Sequence, residues 1–165
     1  MALEDLYQPL WSDKVHEEWI TALLRNRPDL DRAKLLRTRA LMEAHFEQAM
    51  VTGFESRIDE LSLPDPDDRH VLAAAIHGEA NIIITANLAD FPPEALNPHG
   101  IRAMHPDSFI HFLIEFAPEA AFAAVRADRL SLKSPSKSIT DYLADLKSFG
   151  LVQTAETLQR HPEWL

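Results

Sequence analysis

The chain predicts an α/β fold built on a parallel sheet, with a helical segment at its C-terminal end. Three observations carry this expectation. The run ANIIIT (80–85) is continuously apolar and rich in β-branched residues, the pattern of a strand covered on both faces. Segments of helical period flank it, and a second short extended run, IRAM (101–104), follows. From about residue 117 onward the periodicity is helical only.

The elements follow in order. LYQPLW (6–11) reads as a short extended segment, with Pro9 suiting a strand edge. Ser12 is a good N-cap for a helix over roughly 13–24, on which Val15, Trp19, Ala22 and Leu23 make an apolar stripe. Glu18 falls beside Val15 and Ala22 at the border of that stripe, whereas Glu17 points well away. NRPDLD (26–31) is a loop, with Asp31 capping a long amphipathic helix over 32–48 that carries Leu35, Leu36, Leu41, Met42 and Phe46. A short extended stretch near Ala49–Thr52 precedes the loop LPDPDD and a helix from about 69 to 79 that ends near Gly78. NLADFPPEAL is a loop containing about one helical turn, and a helix over about 107–116 is halted by Pro118. Helices over 118–130, 138–149 and 151–161 complete the chain, the first two joined by SLKSPSKS. Two parts are expected: an α/β domain over 1–116 and a helical extension over 117–165.

A hydrophobic content of 46% and a charged content of 25% are ordinary for a globular protein. With no cysteine, disulfides and thiolate metal sites are excluded, which suits a reducing compartment. The start MALEDLYQPLW lacks the basic and long apolar regions of a signal peptide, and no run has the apolar length of a membrane span. The expectation is a cytoplasmic protein with no membrane partner. The net charge of −10 argues at first against nucleic acid. The charge is uneven, however. Between Arg25 and Arg39 lie six basic residues against Asp29 and Asp31, while residues 63–116 hold eight acids against Arg69 and Arg102. Two readings stay open: a cation pocket beside a phosphate-binding flank, or two solvated faces.

In parallel α/β sheets, ligands bind at the carboxyl ends of the strands. Asp65, Asp67 and Asp68 precede the helix over 69–79, and Asn87 and Asp90 sit in the loop leaving the 80–85 strand. Carboxylate and amide oxygens gathered from separate elements are what Mg²⁺ or Mn²⁺ requires. The structural alternative is that Asp67 or Asp68 caps a helix and Asn87 belongs to a turn. The histidines add little: His70 and His77 are seven apart on one helix, and His99, His105 and His111 cross loop, strand end and helix. The chain has no GxGxxG, GxxxxGK[ST], GxSxG or HExxH, so dinucleotide, Walker-type, hydrolase-elbow and zincin chemistries lack support.

LPDPDDRHVLAAAI (63–76), IIITANLADFP (82–92) and GIRAMHPDSFI (100–110), in that order, resemble the second half of PIN domains. SDKVHEEWITALL (12–24) resembles the family's second acidic motif, and SITDYLADLKSFGL (138–151) the helical C-terminal extension of one PIN subgroup. The resemblance implies a three-layer fold, a twisted parallel sheet flanked by helices. It implies acidic residues around one or two Mg²⁺ or Mn²⁺ ions that serve RNA hydrolysis, as in VapC-type toxins held by an antitoxin. Position by position, Glu18 matches the glutamate of the second motif and Asp68 the aspartate opening the helix of the third. Asn87 and Asp90 match the final T-x-[ND]-x-x-D-F motif, with Thr85 supplying its hydroxyl. Asp65 and Asp67 match an acid-rich run less firmly. The basic region 25–39 is expected to track RNA phosphates, with Arg25, Arg32, Arg39, Arg69 and Thr85 as the RNA-binding residues.

In the family an apolar strand ending in Asp comes first, and no segment here supplies it; Asp5, in ALEDLY, lacks the preceding strand. The expectation is therefore a PIN-like domain that is N-terminally incomplete. The favoured explanation is a chain shortened from a longer one, since a lost central strand exposes an apolar groove. The other is a reduced relative that has lost activity. Either form is expected to bind metal weakly and to fill the gap as a homo-oligomer, such as a dimer. Three functions are weighed: a metal-dependent endoribonuclease of the PIN/VapC toxin type, a catalytically inactive PIN-like module that binds RNA or an antitoxin, and an unrelated α/β protein whose acids are only caps.

Overall fold

A computed structural model describes residues 6–133 and 135–164. Asp5 and Ser134 of the SLKSPSKS loop lie outside them. The helices are α1 (Asp13–Asn26), α2 (Arg32–His45), α3 (Arg69–His77), α4 (Pro93–Leu96), α5 (Pro106–Phe116), α6 (Pro118–Ser131), α7 (Ile139–Ser148) and α8 (Val152–Gln159). The strands are β1 (Ile82–Ile84) and β2 (Arg102–Met104). Among the described residues they form a two-stranded sheet. It runs parallel: Arg102 N–H donates to the Asn81 carbonyl and Thr85 N–H to that of Met104. A separate parallel bridge joins Trp11 to Met50. The expected α/β class holds, with a small sheet and many helices.

The described residues divide into two units, one of residues 9–83 and 87–103, the other of residues 6–8, 84–86, 104–133 and 135–164. In the first, Leu63, Leu72, Ala75, Ile83, Phe91, Leu96 and Ile101 form one buried cluster, and Val51, Phe54, Ala73 and Ala74 form another. The run Ala73–Ala75 matters because small side chains let α3 sit deep, with Leu72 and Ala73 almost wholly buried. Gly78 ends this helix by space rather than by backbone freedom: its φ is −83°, and the left-handed turn falls on Glu79 at φ 56°. A Cβ at Gly78 would meet Leu10 Cδ1 at 2.9 Å and Val51 Cγ2 at 3.0 Å.

Three sequence expectations change here. On α1 the buried positions are His16 and Ile20, about one residue round from the expected stripe, and Leu23 is exposed. The shift is possible because His16 Nδ1 accepts the Trp19 indole N–H at 2.9 Å, so an imidazole enters the core with that nitrogen partnered. α2 forms as expected yet buries no residue, and Leu36 and Leu41 are exposed. It is held to α1 by charge, Arg39 pairing with Asp13 and Glu17 while Glu43 of α2 fixes the same guanidinium, and its C-cap Phe46 meets Trp11 edge-on. In the isoleucine run only Ile83 is buried while Ile84 is exposed, so β1 alternates instead of being covered on both faces.

In the second unit Ile114, Ala121, Phe122, Val125, Tyr142, Leu143, Ala155 and Leu158 form the core. Pro118 both halts α5 and opens α6, a position where its missing N–H costs nothing. Ser138 caps α7, its hydroxyl accepting the Asp141 N–H at 3.1 Å. The cap of α8 comes from far away in sequence. Its own N-cap, Leu151, has no side-chain acceptor, and the buried Asp107 accepts Gln153 N–H and Thr154 N–H, each at 2.8 Å. Burial pushes the Asp107 carboxyl upward, but these bonds outweigh it and leave it below the usual carboxylate range.

A depressed carboxyl stabilises the folded chain fully above its unfolded value of about 3.9, and that contribution is lost as pH falls through the lower folded value. Asp107→Asn keeps one acceptor but turns an amide N–H toward a backbone N–H. It should cost about 2 kcal/mol at pH 7. Melts of both proteins from pH 7 to 3 should differ by a constant amount until about pH 4 and converge below it.

Candidate metal centre

The acidic knot is built by a single 3₁₀ turn over Pro66–Asp68. Pro66 suits its first position, and Asp65, in extended conformation, accepts the Asp67 N–H at 2.8 Å. Arg69 Nε donates to the Pro66 carbonyl at 2.9 Å and closes the same turn. Asp65 therefore carries the capping duty that sequence reasoning gave to Asp67 or Asp68. Asp68 stands at the N-cap position of α3 but makes no capping hydrogen bond with its side chain.

A second 3₁₀ turn, Leu88–Asp90, follows β1 and brings up Asp90. Asn87, at its N-cap, donates from Nδ2 to Asp90 Oδ2. One carboxylate oxygen each from Asp65, Asp68 and Asp90 lies within 4.8 Å of the others. Burial first, and then the charges of Asp65, Asp90, Glu18 and Asp67, push the Asp68 carboxyl above its ordinary range. Among the described residues no basic side chain forms an ion pair with Asp65, Asp68 or Asp90: Lys14 Nζ donates to the Asp67 carbonyl at 3.5 Å and Arg69 Nε to that of Pro66. Three convergent oxygen donors with mutually repelling charge fit a hard divalent cation, and the set lacks the nitrogen and sulfur that would favour a soft one.

Asp68, Asp90 and Asn87 thus come together, and Asp65 joins them more firmly than its motif match suggested. Glu18 stands apart from the three. Its Oε1 lies 2.8 Å from His70 Nε2, although its charge still bears on Asp68. His70, treated in sequence as incidental, is one of the most deeply buried side chains. Neither of its ring nitrogens has an aligned hydrogen-bond partner, since Glu18 Oε1 sits off the line of the N–H. Burial first, then Lys14, holds the imidazole below its ordinary pKa against the pull of Glu18 and Asp67. The sequence signal was its place two residues after Asp68 on an alanine-rich helix, where a polar side chain is hard to place.

The basic segment is less free than its composition implied. Arg27 forks onto Asp29 at 2.7 and 2.8 Å, Arg32 pairs with Glu17 at 2.8 Å, and Arg39 serves three acids. Arg25 is exposed in the last turn of α1. Thr85 belongs to the other unit, where its N–H donates to the Met104 carbonyl.

Comparison with known proteins bears on this arrangement. Residues 1–89 match the family described as PIN domain, and residues 106–160 match the one described as VapC50 C-terminal domain. A curated protein of Mycobacterium tuberculosis named "Putative ribonuclease VapC50" is 47% identical over 58 residues, which cover 35% of this chain and 34% of that protein. The match thus spans about a third of that relative's length. No solved structure matches. With more than half of its residues matched by the PIN domain family, and with Asp68 and Asp90 of the resemblance brought together, this chain belongs to the PIN domain family.

Proposed function

We propose that Asp65, Asp68 and Asp90 hold Mg²⁺ or Mn²⁺, with Glu18 and Asn87 completing the site, and that the chain is the RNA-hydrolysing module of a VapC-type toxin. The observation that carries this reading is the Asp68 carboxylate, which is excused from capping and set among other acids. A divalent ion bound there supplies charge for a phosphoryl oxygen and a more acidic water. The protein's own groups do the rest. Asn87 fixes the rotamer of Asp90 through its amide, and the Asp65 turn fixes the backbone from which Asp68 projects. RNA phosphates meet Arg25, Arg32 and Arg69, of which Arg25 is exposed on α1, while Arg39 stays with its three acids. The reading includes a cognate antitoxin, a dimeric state and a cytoplasmic setting. No helix among the described residues is long and apolar enough to cross a membrane.

Repulsion at Asp68 costs stability when no cation is present. Asp68→Asn should therefore raise the melting temperature of the chain in EDTA by a few degrees and abolish the further rise that Mn²⁺ gives the wild type. A variant that melts lower in EDTA and keeps its Mn²⁺ response contradicts the assignment. In cleavage assays with Mn²⁺ and single-stranded RNA, EDTA, Asp68→Asn or Asp90→Asn should each slow cutting at least about 100-fold. Unchanged cleavage by Asp68→Asn sinks the assignment of Asp68 to the metal site, and RNA binding by the wild type without any cleavage supports the inactive-module alternative. RNA affinity should fall linearly with the logarithm of salt concentration, and Arg25→Ala should reduce that slope by about 1.

A further inference from the structure

We propose that His70 is the positioning residue for Glu18, holding one oxygen of that carboxylate so that the other is presented to the acidic group. The inference rests on the metal reading above. His70 is the second residue of α3, two positions after Asp68, and its side chain is 1% exposed. Nε2 lies 2.8 Å from Glu18 Oε1, and neither ring nitrogen has an aligned hydrogen-bond partner. Every other buried residue of α3 is apolar: Leu72, Ala73, Ala74 and Ala75. Packing alone would be served by leucine here, because a buried polar atom without a partner is costly. The nitrogen therefore has a task beyond filling space.

Among the described residues Glu18 is the one acid paired with that nitrogen. It projects from α1 with its side chain 48% exposed, and among the described residues it makes no other ion pair or hydrogen bond. A free glutamate of this kind samples several rotamers, and ordering it costs side-chain entropy. An imidazole locked in the core gives it a fixed anchor. A modest rotation of the exposed Glu18 brings Oε1 into line with the Nε2 N–H and leaves Oε2 for the ion. Carboxylate ligands are usually held from behind in this way, and losing such a support typically weakens metal affinity 10–100-fold.

The test is calorimetric titration of the full chain with Mn²⁺. His70→Leu, close in volume but without a donor, should weaken binding by roughly 10–100-fold. His70→Gln, whose amide N–H can reach the place of Nε2, should recover most of the loss. In a Glu18→Gln background, His70→Leu should add nothing. Wild-type affinity in His70→Leu, no recovery by His70→Gln, or additive losses in the double variant overturn the proposal while Asp68→Asn still reports on the metal site. Absence of Mn²⁺ binding by the wild type overturns the metal reading and this role with it. Should His70→Leu fail to fold, the ¹⁵N spectrum of the wild-type imidazole decides. Glu18→Ala should shift the Nε2 resonance, and an unmoved resonance refutes the contact.

Discussion

A single local hydrogen bond, from the Asp67 N–H to the Asp65 carboxylate, organises the candidate site. It closes the turn ahead of α3 and satisfies a donor that would otherwise seek the next acid in line. Asp68 is then left with its charge uncommitted at the N-terminus of a nine-residue helix, where the backbone dipole tolerates a carboxylate. Had Asp68 done the capping, its oxygens would face its own helix and the group with Asp65 and Asp90 would not exist. Turn chemistry and ligand chemistry are divided between neighbouring aspartates.

The hydrophobic core sets where those aspartates can be. Leu63, two residues before Asp65, and Phe91, directly after Asp90, are buried in the same cluster as Leu72 of α3. Each acid-bearing loop is thus pinned by an apolar residue beside its acid, and the two pins share one partner helix. Like charges brought together repel, as the raised Asp68 carboxyl records. The burial of Leu63, Phe91 and Leu72, each able to contribute about 1.5–3 kcal/mol, is large enough to hold them there. Gly78 plays a complementary part at the other end of α3, where the absence of a Cβ lets Leu10 and Val51 close on the helix terminus.

The fold class and most element positions were legible in the sequence because they depend on local signals: Ser12 and Asp31 as caps, Pro118 as a boundary, and the isoleucine run as a strand. What the sequence hid depends on contacts distant along the chain. Nothing near Leu151 announces that Asp107 will cap α8, and nothing in the 25–39 segment shows that its arginines meet Glu17, Asp13 and Glu43. The buried face of α1 was misplaced for a related reason. Hydropathy counts His16 as polar, and only its partner Trp19 makes it a core residue. At the site itself, Asp68, Asp90 and Asn87 could be read from motif spacing, whereas Asp65 and His70 needed the turn and the burial to be seen.

The pairing of the arginines bears on how an acidic chain would meet RNA under the proposed function. Arg32 and Glu17 are each about half exposed, so their pair is worth at most about 1 kcal/mol and is screened further by salt. Exchanging the Glu17 carboxylate for a phosphate keeps a charge-assisted hydrogen bond to Arg32 and releases counterions from the nucleic acid. The pair is therefore a small barrier to binding. Arg39 is different, since it is mostly enclosed and holds α2, which has no buried side chain, against α1. Removing it from its three acids would loosen the helix pair that carries Glu18. On physical grounds Arg25 and Arg32 can serve an RNA strand, while Arg39 serves the protein.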